Sequence, residues 1–93
     1  MAVTFYIAGY LSALASGEGT VVISETPETV DAALCRLWEQ HLALRDRVLD
    51  EQGNVRQHVN IFVDGHSVKR GEGLLTPITN NAEIYILPAV SGG

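Results

Sequence analysis

Three stretches of the chain alternate apolar and polar side chains with a period of two, the mark of a strand with one buried face. Val3, Phe5 and Ile7 fall on one side of the first, with Thr4, Tyr6 and Ala8 on the other. This strand is read from Val3 towards Tyr10. Val59-Asn60-Ile61-Phe62-Val63 is the clearest of the three, and Glu83-Ile84-Tyr85-Ile86-Leu87 is the last. Thr20-Val21-Val22-Ile23-Ser24 adds a short second strand after a small-residue loop from Leu11 to Gly19. Asp64-Gly65 predicts a tight hairpin into a return strand, His66-Ser67-Val68-Lys69.

Between these strands the period changes. Val30, Ala33, Leu34, Leu37 and Trp38 recur at helical spacing, with Arg36, Glu39 and Gln40 on the opposite side. Thr26 can cap such a helix, Pro27 suits its first position, and Glu28 meets the positive end of its dipole. The predicted helix runs from Pro27 to Leu42. Leu44 to Arg56 reads as mixed and polar, with Val48 and Leu49 tucked onto the core and Gly53-Asn54 as a turn. Gly71 to Asn81 reads as a connecting loop, and Pro88 ends the last strand because proline cannot continue a ladder.

The element order is β-β-α-β-β-β, with hairpins on both sides of one helix. This predicts an α+β fold with a mixed sheet and one main helix packed across it, the β-grasp or ubiquitin-like arrangement. Residues 1–88 form the domain, and residues 89–93 are left as a flexible tail.

Composition narrows the functional classes. Apolar residues make up 46% of the 93 and charged ones 18%, which excludes intrinsic disorder. The net charge of −5 argues against nucleic acid, which selects a basic footprint, and against an anionic membrane surface. A basic protein partner fits better. A single cysteine, Cys35, forbids an internal disulfide and any paired-cysteine metal site. No apolar run reaches the length of a membrane span. The chain reads as soluble and cytoplasmic.

No catalytic constellation emerges. His41, His58 and His66 lack the spacing of a metal site; His41 reads as a packing or capping residue, and the other two as solvated. Cys35 lies in the helix beside apolar positions and reads as structural, with no base to activate it. Asp50-Glu51 reads as part of a solvated acidic face. Gly71-Glu72-Gly73 lacks the lysine and hydroxyl of a phosphate loop.

Two features remain. The chain finishes on Gly92-Gly93, after Pro88 and the small or apolar Ala89, Val90 and Ser91. Extended, Ala89 to Gly93 spans about 16 Å at about 3.3 Å per residue, enough to thread into a partner's active site. The bland reading is a frayed tail. The second feature is apolar side chains on the face away from the helix. If Ile84 and Ile86 point to the helix, Tyr85 and Leu87 point outward, as do Phe62 and Tyr6 in neighbouring strands. With the last strand in the middle, these four form one patch, the usual mark of a protein interface.

The stretches Val59 to Gly65, Gly73-Leu74-Leu75-Thr76-Pro77-Ile78 and Ile86 to Gly93 resemble the MoaD/ThiS family of ubiquitin-like sulfur carriers. The likeness is loose over the whole chain and close from Arg47 onward. Arg47-Val48-Leu49-Asp50 and the ending Ile-Leu-Pro-Ala-Val-Ser-Gly-Gly are most similar to the carriers of thiocarboxylate-dependent cysteine biosynthesis. Two departures stand out. Asn80-Asn81-Ala82-Glu83 replaces the family's Asp-Gly-Asp, and Ser91 holds a position usually given to alanine. Asparagine tolerates left-handed backbone, so the turn is expected to survive.

The resemblance implies a carrier with no active site and no bound cofactor. A ubiquitin-activating-enzyme-like adenylyltransferase would activate the Gly93 carboxylate with ATP, and a sulfur donor would convert it to a thiocarboxylate. A sulfur-accepting synthase would then take the sulfur, either a cysteine synthase or the large subunit of molybdopterin synthase. Tyr6, Phe62, Tyr85 and Leu87 would dock the partner, with Ala89, Val90, Ser91 and Gly92 in its tunnel. Three alternatives stay open: a molybdopterin-synthase small subunit, a ubiquitin-like protein modifier, and a plain interaction domain.

Overall fold

A computed structural model describes residues 2–15, 17, 19–25, 27–70 and 72–88. Five strands form one mixed sheet: β1 (Val3–Ile7), β2 (Thr20–Ile23), β3 (Val59–Val63), β4 (His66–Ser67) and β5 (Glu83–Pro88). Their order across the sheet is β2-β1-β5-β3-β4. The last strand therefore lies at the centre, parallel to β1 and antiparallel to β3. Two helices follow β2: α1 (Val30–Gln40) and α2 (Leu42–Val48). The expected β-grasp architecture is present.

The predicted strand phase holds throughout. Val3, Phe5, Ile7, Val59, Ile61, Val63, Ile84 and Ile86 are buried under the helical layer, where Val30, Ala33, Leu34, Leu37 and Trp38 meet them. Val48 and Leu49 join this core. The β3–β4 hairpin turns through Asp64 (φ +48°) and Gly65 (φ +89°), both left-handed as a type I′ turn requires. The Asp64 N–H donates to the Glu83 carbonyl at 2.9 Å, and the Glu83 N–H donates to Asp64 Oδ1 at 3.0 Å. This reciprocal pair ties the turn to the start of β5. Just before β5, Asn81 takes φ +62°, so asparagine does carry the left-handed turn.

Four readings of local structure need correction. The main helix starts at Val30, not Pro27. Thr29 is its cap, extended at φ −133° and ψ 164°, and the Ala32 N–H donates to Thr29 Oγ1 at 3.2 Å. Thr29 is bridged to Pro77, and the Glu28 carbonyl accepts from the Ile78 N–H at 3.1 Å, so this segment is committed to a strand-like contact. Asp31 then takes the place expected of Glu28 in the first turn. Thr26 lies outside the described residues.

The helix stops at Gln40, and a second helix occupies Leu42–Val48 where a polar stretch was expected. His41 is the junction. Its φ of −138° and ψ of 71° break the helical path, while its N–H donates to the Leu37 carbonyl and its own carbonyl accepts from Leu44. Leu44 and Val48, four residues apart, bury the inner face of α2. The loop after β1 is instead a 3₁₀ helix, Gly9–Ala15, which seals the core with Leu11 and Ala15. The return strand is only His66–Ser67, because Val68–Arg70 winds into another 3₁₀ turn.

Asp50 is more than a solvated acid. Its Oδ1 accepts from the Gln52 N–H at 2.8 Å and the Asn54 N–H at 3.0 Å, closing the loop between α2 and β3. The bond from Asn54 is the main reason its carboxyl is held below the ordinary value of 3.8.

Candidate docking face and base of the tail

The sheet face opposite the helices carries the candidate site. The strand registers place Tyr6 beside Tyr85 and Tyr85 beside Phe62, so three aromatic side chains form one row across β1, β5 and β3. Each is half-buried. The Tyr6 and Tyr85 rings stack with centroids 4.6 Å apart and planes 18° apart. Leu87 lies two residues further along β5 on the same face, beside Asn60. The structure thus brings together the four side chains singled out in the sequence.

The row has a polar border. The Tyr6 hydroxyl donates to Glu83 Oε2 at 3.1 Å. That bond, and the carboxylate charge behind it, raise the Tyr6 phenol above its ordinary value of 10.0. Tyr6 therefore stays a neutral donor across the physiological range. Along β5 the outward residues run Glu83, Tyr85, Leu87, from acid through aromatic to aliphatic, towards residue 89. Such a face suits a partner with an apolar centre and a basic edge.

Val22 extends the face and was missed in the sequence. It stands on β2 beside Thr4 and is 56% exposed. Its signal was visible: Val21-Val22-Ile23 is apolar on both sides of a strand. Tyr10, Leu42 and Leu75 are also exposed, but they lie on the 3₁₀ helix after β1, on α2 and on a turn near Leu74.

Cys35 departs from its expected place. It is exposed on α1, one step off the buried stripe, beside Ala32 and Arg36 on a surface that also includes Pro27 and Glu25. Arg36 is paired there with Glu25 and Glu39, each at 3.3 Å. His58 and His66 are solvated as expected. Among the described residues no group of three histidine, cysteine or carboxylate side chains stands close enough to hold a metal ion, and no helix is long and apolar enough to cross a membrane.

The tail residues Ala89, Val90, Ser91, Gly92 and Gly93 lie outside the described residues, as does their expected flexibility. Their base is described. Pro88 closes β5 beside Val59, half-buried.

Comparison with known proteins places this geometry. The ThiS family matches residues 7–93. The sulfur carrier protein CysO of Mycobacterium tuberculosis is 32% identical over 77 residues, covering 81% of this chain and 83% of that one. Its crystal structure superposes with a TM-score of 0.84 at 30% identity, over 95% of this chain and 99% of that one. CysO in the Amycolatopsis orientalis BexX/CysO complex gives a TM-score of 0.84 at 27% identity, covering 98% and 99%. The small archaeal modifier protein 1 of Haloferax volcanii gives 0.82 at 28% identity and covers all of both chains.

Proposed function

Because the chain belongs to the ThiS family of sulfur carriers, we propose that it carries sulfur as a thiocarboxylate on Gly93. An adenylyltransferase docks on the Tyr6, Phe62, Tyr85 and Leu87 face and takes the tail into its active site. One carboxylate oxygen of Gly93 attacks the α-phosphorus of ATP, forming an acyl adenylate and releasing pyrophosphate. Hydrosulfide, or the terminal sulfur of a persulfide, then attacks the acyl carbon and expels AMP. With hydrosulfide the step releases a proton and gives the thiocarboxylate directly. With a persulfide it gives an acyl disulfide, and a second thiol must then attack the donor's own sulfur, breaking the S–S bond to release the thiocarboxylate and forming a disulfide with the donor. The product is a thiocarboxylate, a better nucleophile than the parent carboxylate. A sulfur-accepting synthase takes it from there, and a cysteine synthase is the reading favoured by the likeness to CysO.

One observation carries the proposal. The strand bearing Tyr85 and Leu87 on the outward face is the strand whose last residue, Pro88, leads into Ala89–Gly93. A partner seated on that face stands over the origin of the tail. The acidic balance of −5 steers a basic partner towards it.

A second reading has its own support. The likeness to the small archaeal modifier protein 1 favours a protein modifier, whose activated Gly93 would form an amide with a lysine of a target. Label from sulfide separates the two. The carrier reading expects labelled sulfur in free cysteine when the thiocarboxylated protein meets a cysteine synthase and its amino-acid acceptor. Label in molybdopterin would move the proposal to the other carrier class. Gly93 recovered in isopeptide linkage, with no sulfur delivered to a small molecule, would replace the carrier reading with the modifier one.

A further inference from the structure

The parallel ladder between β1 and β5 ends at a close approach that the sheet alone does not require. The register runs to Ile7 beside Ile86, and the Ala8 N–H extends it by donating to the Ile86 carbonyl at 3.1 Å. Residue 9 then lies beside residue 88. Here the chain leaves the sheet: Gly9 takes φ +63° and opens the Gly9–Ala15 3₁₀ helix, and its carbonyl accepts from the Ser12 hydroxyl at 3.0 Å. The Pro88 ring occupies the space where a side chain at position 9 would stand. A Cβ on Gly9 would be 2.9 Å from Pro88 Cγ and 3.5 Å from Cδ, so something would have to shift. On its other side Pro88 is in register with Val59.

We infer that Gly9 is a positioning residue for the activation of Gly93: its missing side chain seats the Pro88 ring and thereby fixes where the tail leaves the domain. This rests on the carrier reading above. Two constraints meet at Pro88. Its own ring sets φ, and the Gly9 surface sets the place of that ring. When the sheet face is docked and the tail is threaded, both ends of Ala89–Gly93 are held. A tilt of about 10° at Pro88 would move the end of an extended tail of about 16 Å by roughly 3 Å. Misplacement by about 1 Å can cost a reaction up to 10²-fold. Docking, which uses the sheet face, is untouched by such a tilt. The signature is a loss in kcat without a loss in KM for the carrier.

The experiment measures pyrophosphate release from ATP by a ubiquitin-activating-enzyme-like adenylyltransferase that accepts the wild-type carrier, with full-length carrier as the varied substrate. Gly9→Ala adds a Cβ and backbone strain. Gly9→Asn adds the same Cβ but tolerates positive φ. Pro88→Ala removes the ring atoms that the Cβ would meet. Both Gly9 variants should lower kcat about tenfold and leave KM within about twofold. Adding Pro88→Ala to either should restore the level of Pro88→Ala alone. Thermal unfolding of each variant checks that the fold persists. Wild-type kcat in both Gly9 variants would overturn the inference. So would recovery by Gly9→Asn without recovery by Pro88→Ala, which would assign the loss to backbone strain. If the wild type itself released no pyrophosphate, the activation reading would fall, and amide spectra would still judge the anchor. The Ala89 and Val90 resonances should move in Gly9→Asn, whereas unmoved resonances would show that Gly9 does not set the origin of the tail.

Discussion

Tyr6 and Tyr85 stack across the parallel β1–β5 pair with ring centroids 4.6 Å apart, and Tyr6 also hydrogen-bonds Glu83 on the neighbouring strand. The stack fixes the middle of an outward row that continues to Phe62. The hydrogen bond holds the Tyr6 hydroxyl at one place on the rim. Glu83→Gln removes the charge and weakens the acceptor. The Tyr6 phenol should then titrate closer to its ordinary value of 10.0, as followed by its ring carbon shift. An unchanged titration would show that Glu83 is not the cause.

The row should matter more for binding than for folding. Phe62→Asp and Leu87→Asp place a charge on a half-buried outward position. Each should cost about 1 kcal/mol of stability. Each should weaken binding to the adenylyltransferase by about 2 kcal/mol, roughly 30-fold, since central apolar contacts dominate such interfaces. Urea unfolding and titration calorimetry read the two effects separately. Variants that unfold outright, or that bind as the wild type does, would contradict this assignment.

The helix start rests on one side chain. Thr29→Ala should destabilise the domain by about 1 kcal/mol, because the Ala32 N–H loses its acceptor. By contrast, Leu34→Ala opens a cavity under the sheet and should cost about 2–5 kcal/mol. A Thr29→Ala loss as large as that of Leu34→Ala would mean that Thr29 does more than cap α1.

Asp50 predicts a pH signature. Its folded value lies below 3.8, so the carboxylate stabilises the fold above that pH and the contribution is lost as pH falls through the lower folded value. The stability gap between wild type and Asp50→Ala should be level from neutral pH down to about 5, and should narrow at pH below 3.8. Urea midpoints along this series measure it. A gap that widens on acidification would contradict the Asp50 turn.

The sequence made some of this legible and concealed the rest for physical reasons. Period-two alternation shows which side chains share a face, so the aromatic row could be read from Tyr6, Phe62 and Tyr85 once β5 was placed centrally. Helix boundaries depend on competition for backbone hydrogen bonds. Thr29 has the same capping chemistry that was read at Thr26, and the Thr29–Pro77 bridge holds the chain strand-like up to it, so the helix begins there. The α2 helix was hidden because only Leu44 and Val48 of its apolar residues form a buried stripe while Leu42 faces out, and its start depends on the His41 backbone rather than on a capping side chain. Cys35 shows the limit of neighbour reasoning: it touches the apolar stripe in sequence yet faces outward in space. The contact between Gly9 and Pro88 joins residues 79 positions apart, and no local pattern announces it.

The central claim is chemical, and intact mass tests it most directly. The protein is mixed with ATP, a sulfur source and the adenylyltransferase. Replacing one carboxylate oxygen with sulfur should raise its mass by about 16 Da. Fragment spectra should place the gain on Gly93, deletion of Gly93 should abolish it, and Cys35→Ser should leave it unchanged. A gain of about 32 Da that survives deletion of Gly93 and disappears in Cys35→Ser would contradict the account, because one added sulfur atom would then reside on the lone thiol as a persulfide.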